Sequence, residues 1–148
     1  MKKILVIDDE PDFRELMRVR LITNWFKVIE AEDGPSGVRL ARQEQPDLIL
    51  LDLMIPGKDG ILTYQALRAD PITKNIPVIF LTALTSTAVE DEESIRRIAL
   101  TKHDLMLEKD YFVMGKTSDS KKLVRMIQGI LAPLQEGQVS PKGAAQEQ

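Results

Sequence analysis

The sequence contains no cysteine. Disulfide scaffolds and thiolate metal sites are therefore excluded. Histidine is nearly absent too: His103 stands alone in a charged stretch and reads as a surface residue. There is no excess of positive charge, with 20 Lys and Arg against 23 Asp and Glu and a net charge of −3. That balance gives no basic footprint for a direct nucleic-acid partner. Long apolar runs are missing, the longest having about six residues, far short of a membrane span. Met1-Lys2-Lys3 is basic, but the apolar run after it stops at Asp8, too soon for a signal-peptide core. The expectation is a soluble cytoplasmic protein.

What is present is a set of short unbroken apolar runs. Ile4-Leu5-Val6-Ile7, Leu48-Ile49-Leu50-Leu51 and Val78-Ile79-Phe80-Leu81 do not alternate with polar residues. An unbroken run has both faces covered, as in a parallel sheet between helical layers. Further strands are predicted over Lys27 to Ala31 and Tyr111 to Met114. Helical spacing links Phe13, Leu16, Met17 and Leu21 after Pro11, a residue suited to a helix start. A second helix opens at Gly34-Pro35-Ser36, with Val38, Leu40 and Ala41 on its apolar side. A third follows Gly60 through Ile61, Tyr64 and Leu67. A fourth runs through Val89, Ile95 and Ile98. The last begins near Ser118 or Asp119, uses Leu123, Val124, Ile127, Ile130 and Leu131, and ends before Pro133.

Strands alternating with helices imply βαβ units and a mostly parallel sheet. One domain is expected over residues 1–132. The Gly-, Gln- and Ala-rich residues 133–148 read as a disordered tail without an output domain.

The informative feature is what ends each run. The first ends in Asp8-Asp9-Glu10, the second in Asp52 and the third in Thr82. Ligands of open parallel sheets bind at the carboxyl ends of the strands. Carboxylates gathered there repel unless neutralised, and a hard cation such as Mg²⁺ does this with oxygen ligands. Lys116, just past the last strand, is placed to reach the same edge. Each residue alone has a plainer reading. Asp8 or Asp9 could cap a helix, Thr82 could bond backbone, and Lys116 could be solvated. Asp52 is followed by Leu-Met-Ile-Pro, which does not start a helix.

The residues then show a family resemblance. Ile7-Asp8-Asp9-Glu10, the segment Asp52-Leu53-Met54-Ile55-Pro56-Gly57-Lys58-Asp59-Gly60, Leu81-Thr82-Ala83 and Ala31-Glu32-Asp33-Gly34 together resemble the receiver domain of response regulators. The resemblance implies a flavodoxin-like, doubly wound α/β fold with a five-stranded parallel sheet in the order 2-1-3-4-5. It implies that Asp8 and Asp9 hold Mg²⁺, with Asp52 and the Met54 backbone carbonyl as further ligands. Asp52 would be the phosphoacceptor, and Thr82 and Lys116 would contact phosphoryl oxygens. The donor would be a sensor histidine kinase or a histidine phosphotransfer protein. Output would be altered binding of an unidentified downstream protein by a stand-alone receiver, with homodimerisation left open. No enzymatic activity is expected beyond its own phosphorylation and dephosphorylation. Met54 and Leu84 cannot orient a water, so phosphate loss should be slow.

The chain departs from the pattern in two places. The stretch from Thr82 to Lys116 is about a dozen residues longer than usual, an extended region between the fourth and fifth strands that reads as a longer helix or loop, or as a signalling face rebuilt for one partner. Lys116 is followed by Thr117 where the family has proline. These departures motivate an alternative: a receiver-like interaction module that does not switch.

Overall fold

Apolar runs flanked by helices become the strands of one sheet. The computed structural model describes residues 1–53, 60–82, 112–115 and 120–132, with backbone alone at Thr82, Val113 and Ser120. Strands β1 (Lys3–Ile7), β2 (Lys27–Ala31), β3 (Leu48–Asp52), β4 (Val78–Thr82) and β5 (Phe112–Gly115) form a five-stranded sheet in the order β2-β1-β3-β4-β5. Every pairing is parallel. The described helices are α1 (Pro11–Thr23), α2 (Gly34–Glu44), α3 (Gly60–Ala69) and α4 (Ser120–Leu131). The expected α/β architecture and strand order are therefore present.

Side-chain alternation divides the core into two layers. Leu5, Ile7, Ile49, Leu51, Val78 and Phe80 pack with Ala41 of α2 and with Ile61, Tyr64 and Leu67 of α3. Ile4, Val6, Leu48, Leu50, Ile79 and Leu81 pack with Met17 and Leu21 of α1 and with Leu123, Val124 and Ile127 of α4. All five residues of β3 are buried, as an unbroken run requires of a central strand. Each such Leu or Ile contributes roughly 1.5–3 kcal/mol of apolar burial.

Some faces and one boundary differ from expectation. The last strand extends one residue past Met114, to Gly115, which pairs with Thr82, while Phe112 pairs with Ile79; Tyr111 lies outside the described residues. The last helix is described from Ser120, with Ser118 and Asp119 outside the described residues. On α1, Leu16 is 42% exposed rather than part of the apolar side. At about 100° per residue it lies roughly 120° from the arc centred on Met17 and Leu21. Arg14 falls within that arc instead. On α2 the inward positions are Gly34, Gly37 and Ala41, with Val38 and Leu40 at the flank. Gly37 is needed by packing: a Cβ there would meet Ile7 Cδ1 and stand 2.8 Å from Ile7 Cγ1.

The predicted helix through Val89, Ile95 and Ile98, the long segment holding His103, and the tail lie outside the described residues. Among the described residues, no helix is long and apolar enough to cross a membrane.

Candidate functional site

The strand register sets the geometry. Ile7 pairs with Leu51, so one step further Asp8 and Asp52 come level on adjacent strands. Asp8 follows the phase of Ile4 and Val6, and Asp52 that of Leu48 and Leu50. Both therefore belong to the sheet face covered by α1 and α4. Neighbouring strands are about 4.8 Å apart, so the two carboxylates share one end of one face. Asp8 is fully buried and Asp52 is 3% exposed.

The β1–α1 turn adds the next two acids. Carboxylate oxygens of Asp8, Asp9 and Glu10 all lie within 4.8 Å of one another, with Asp8 buried and the other two exposed. Asp8 does not cap α1. Its backbone N–H extends the sheet ladder to Ala31 O at 3.0 Å, and its Oδ1 accepts from Glu10 N–H at 2.8 Å. Glu10 holds the N-cap position, in extended conformation, with no side-chain capping bond. The helix therefore begins after the acids and leaves their side chains to the sheet edge. The donor set is carboxylate oxygen alone, one buried and two reachable by solvent. That fits a hard divalent cation which keeps some of its waters.

The turn is also tied down from α1. Arg14 Nη1 donates to the Asp8 backbone carbonyl at 2.6 Å, and Arg14 N–H donates to Glu10 O at 3.0 Å. Arg14 Nε lies 3.4 Å from Glu30 Oε1 on β2. Sequence reasoning missed Arg14 and Glu30. The available signal was a charge at an inward phase on both elements: Arg14 lies three residues before Met17, and Glu30 pairs with the inward Val6.

On the β3 side, Leu53 N–H donates to Leu81 O at 2.9 Å, extending the ladder past Asp52. Gly60 N–H donates to Leu53 O at 2.9 Å, which brings the start of α3 back against the Asp52 strand end. A Cβ on Gly60 would meet Asp52 O and stand 2.7 Å from Leu53 Cα. Position 60 therefore accepts only glycine without displacing that backbone.

Of the residues singled out in the sequence, Asp8, Asp9 and Asp52 converge at the carboxyl edge. Thr82 ends β4 beside Gly115 of β5, and its side chain is outside what the structure describes. Met54 and Lys116, with the Lys116–Thr117 bond, lie outside the described residues. Trp25 precedes β2 at the opposite end of the sheet, 79% exposed and in a left-handed conformation with φ 69°.

Comparison with known proteins bears on this edge. The model of the response regulator receiver domain matches residues 4–92. The DNA-binding dual master transcriptional regulator RpaA of a Synechocystis species is 49% identical over 84 residues, which is 57% of this chain and 35% of that protein. The phosphate regulon regulatory protein PhoB of Escherichia coli is 41% identical over 95 residues, which is 64% of this chain and 40% of that protein. The chain thus spans well under half of these relatives. Among solved structures, the receiver domain of the sensor histidine kinase PA1611 of Pseudomonas aeruginosa superposes with a TM-score of 0.69 at 25% identity. The superposition covers 86% of this chain and 94% of that one, which carries a magnesium ion in its active-site cleft. The chemotaxis protein CheY4 of Vibrio cholerae shares the fold, with a TM-score of 0.70 at 22% identity over 88% of this chain and 99% of that one. Receivers bind Mg²⁺ at their acidic edge, and the Asp8-Asp9-Glu10 cluster provides that edge here. A family match that begins in β1, passes through the acid-bearing β3 and covers more than half of the chain decides the relationship: the chain belongs to the response regulator receiver domains of two-component signalling.

Proposed function

We propose that Asp52 is the phosphoacceptor of a signalling switch, with Asp8 and Asp9 as its metal ligands. The carrying observation is the register that brings buried Asp52 level with buried Asp8 on one sheet face. Receivers take their phosphoryl group from histidine kinases. A carboxylate oxygen of Asp52 attacks phosphorus, the P–N bond of the donor phosphohistidine breaks, and the bond's electrons stay on the imidazole, which leaves neutral because its other ring nitrogen already carries a proton. Asp52 becomes an acyl phosphate. Such a transfer needs positioning and charge neutralisation more than covalent assistance. Asp8 and Asp9 would hold Mg²⁺, which would supply positive charge against the repulsion between the phosphoryl oxygens and these acids. The Met54 carbonyl completes the ligands in this reading, while Thr82 and Lys116 meet the phosphoryl oxygens. The phosphorylated state is passed on through altered binding of a partner protein.

The test is incubation with acetyl phosphate and Mg²⁺, followed by intact-mass measurement. Wild type should gain one phosphate, stable enough to be weighed, and Asp52→Asn should gain none. An adduct retained in Asp52→Asn would move the acceptor elsewhere. Absence of an adduct in wild type would favour a receiver-like module that does not switch.

A further inference from the structure

We propose that Arg14, oriented by Glu30, is a positioning residue for the metal-binding turn. The proposal rests on the reading of Asp8 and Asp9 as Mg²⁺ ligands. Arg14 touches neither carboxylate in the hydrogen bonds described. Its side chain grips the turn by the backbone, with Nη1 donating to Asp8 O at 2.6 Å. The other side of its guanidinium is held by Glu30, 3.4 Å from Nε. Glu30 belongs to β2, a strand that contributes no acid to the site. The side chains of Arg14 and Glu30 are only 17% and 31% exposed, so this is not a loose surface pair. Arg18 Nε, 4.0 Å from Glu30 Oε2, steadies the carboxylate from the next turn of α1.

The arrangement has a physical rationale. Asp9 and Glu10 are exposed and would swing freely if the turn were loose. A turn fixed on both sides, by the β2 ladder at Asp8 N–H and by Arg14 at Asp8 O, presents its carboxylates in one arrangement. Lysine can replace this only in part, because one ammonium lacks the planar fork that meets a carbonyl and a carboxylate together. Groups that orient metal ligands from behind typically change affinity about 10- to 100-fold.

The sign of the effect makes the proposal testable. By charge alone, removing a cation beside an acidic cluster should tighten Mg²⁺ binding. By positioning, removing it should loosen binding. Mg²⁺ affinity is measured on the unphosphorylated protein by calorimetric titration, with competition against Mn²⁺ followed by electron paramagnetic resonance. Arg14→Ala is expected to weaken Mg²⁺ about tenfold. Arg14→Lys should recover only part of the loss. Glu30→Gln should weaken binding in wild type and add little to Arg14→Ala, because it acts through the same arginine. Thermal unfolding in EDTA shows that each variant is folded. If Arg14→Ala does not fold, Arg14→Lys carries the test, because it keeps the charge, and Glu30→Gln enters only through its non-additivity with Arg14→Lys. Mg²⁺ affinity unchanged or increased in the arginine variants would overturn the proposal, provided Asp8→Asn weakens binding. If Asp8→Asn does not weaken binding, the metal assignment itself fails, and the inference with it.

Discussion

A methyl group at position 60 would stand 2.7 Å from Leu53 Cα and 2.8 Å from Leu53 O. Those are backbone atoms, and neither can rotate away. Gly60→Ala must therefore push α3 outward or shift the strand end that carries Asp52. Overpacking of this kind costs roughly 1–3 kcal/mol. Urea unfolding should show that loss, and phosphorylation from acetyl phosphate should slow in parallel. A folded Gly60→Ala protein with wild-type stability would mean the contact relaxes at no cost. Legibility at this scale was uneven. Asp8 and Asp52 could be picked out because an acid closing an apolar run is conspicuous. Gly60 was matched by resemblance, but its reason, a helix start pressed against a strand end, involves a contact that no local pattern encodes. Arg14 and Glu30 were missed because a charge within an apolar phase reads as noise until its partner is located.

At the level of elements, α2 shows how local signals agree. Asp33 holds the N-cap position in extended conformation, and its Oδ1 accepts from Ser36 N–H at 2.8 Å. Pro35 occupies the first turn, where its missing donor costs nothing. The backbone hydrogen bond from Ser36, helped by the Ser36 side chain and by Arg39, lowers the Asp33 carboxyl below its ordinary value of 3.8. A carboxyl lowered in the folded state gives stability that is complete above the unfolded value and lost as pH falls through the folded one. Asp33→Asn keeps the cap acceptor without the charge. Its stability deficit relative to wild type should be present at neutral pH and shrink as pH drops below 3.8. Asp33→Ala, lacking any acceptor, should remain destabilised at every pH. Thermal unfolding of the three proteins between neutral and acid pH decides this. A deficit for Asp33→Asn that does not change with pH would remove the charge from the argument. The helix starts and the unbroken strands were legible because caps and periodicity are local. The exposure of Leu16 is not legible in that way, because spacing alone does not say where the buried arc is centred.

For the whole molecule, strand order is what places two acids side by side. Alternating strands and helices indicate a parallel sheet but do not order it; the order came from family resemblance, and the register then brings Asp8 level with Asp52. Two carboxylates on neighbouring strands, whose backbones run about 4.8 Å apart, oppose folding by mutual repulsion when both are charged and largely removed from water. Under the proposed function this arrangement serves charge capture at the expense of stability. Without divalent metal, Asp52→Asn should therefore unfold at a higher temperature than wild type, by the equivalent of about 1 kcal/mol. Mg²⁺ should reverse the ranking. At a hundred times its dissociation constant it stabilises the protein that binds it by about 2.7 kcal/mol. If Asp52 is one of the ligands, as proposed, Asp52→Asn should gain less. Calorimetric melting in EDTA and in excess MgCl₂ reads both effects on the same samples. If Asp52→Asn melts below wild type in EDTA, the acid stabilises the fold through contacts that outweigh repulsion, and the metal would then add to an already favourable charge pattern instead of relieving an unfavourable one.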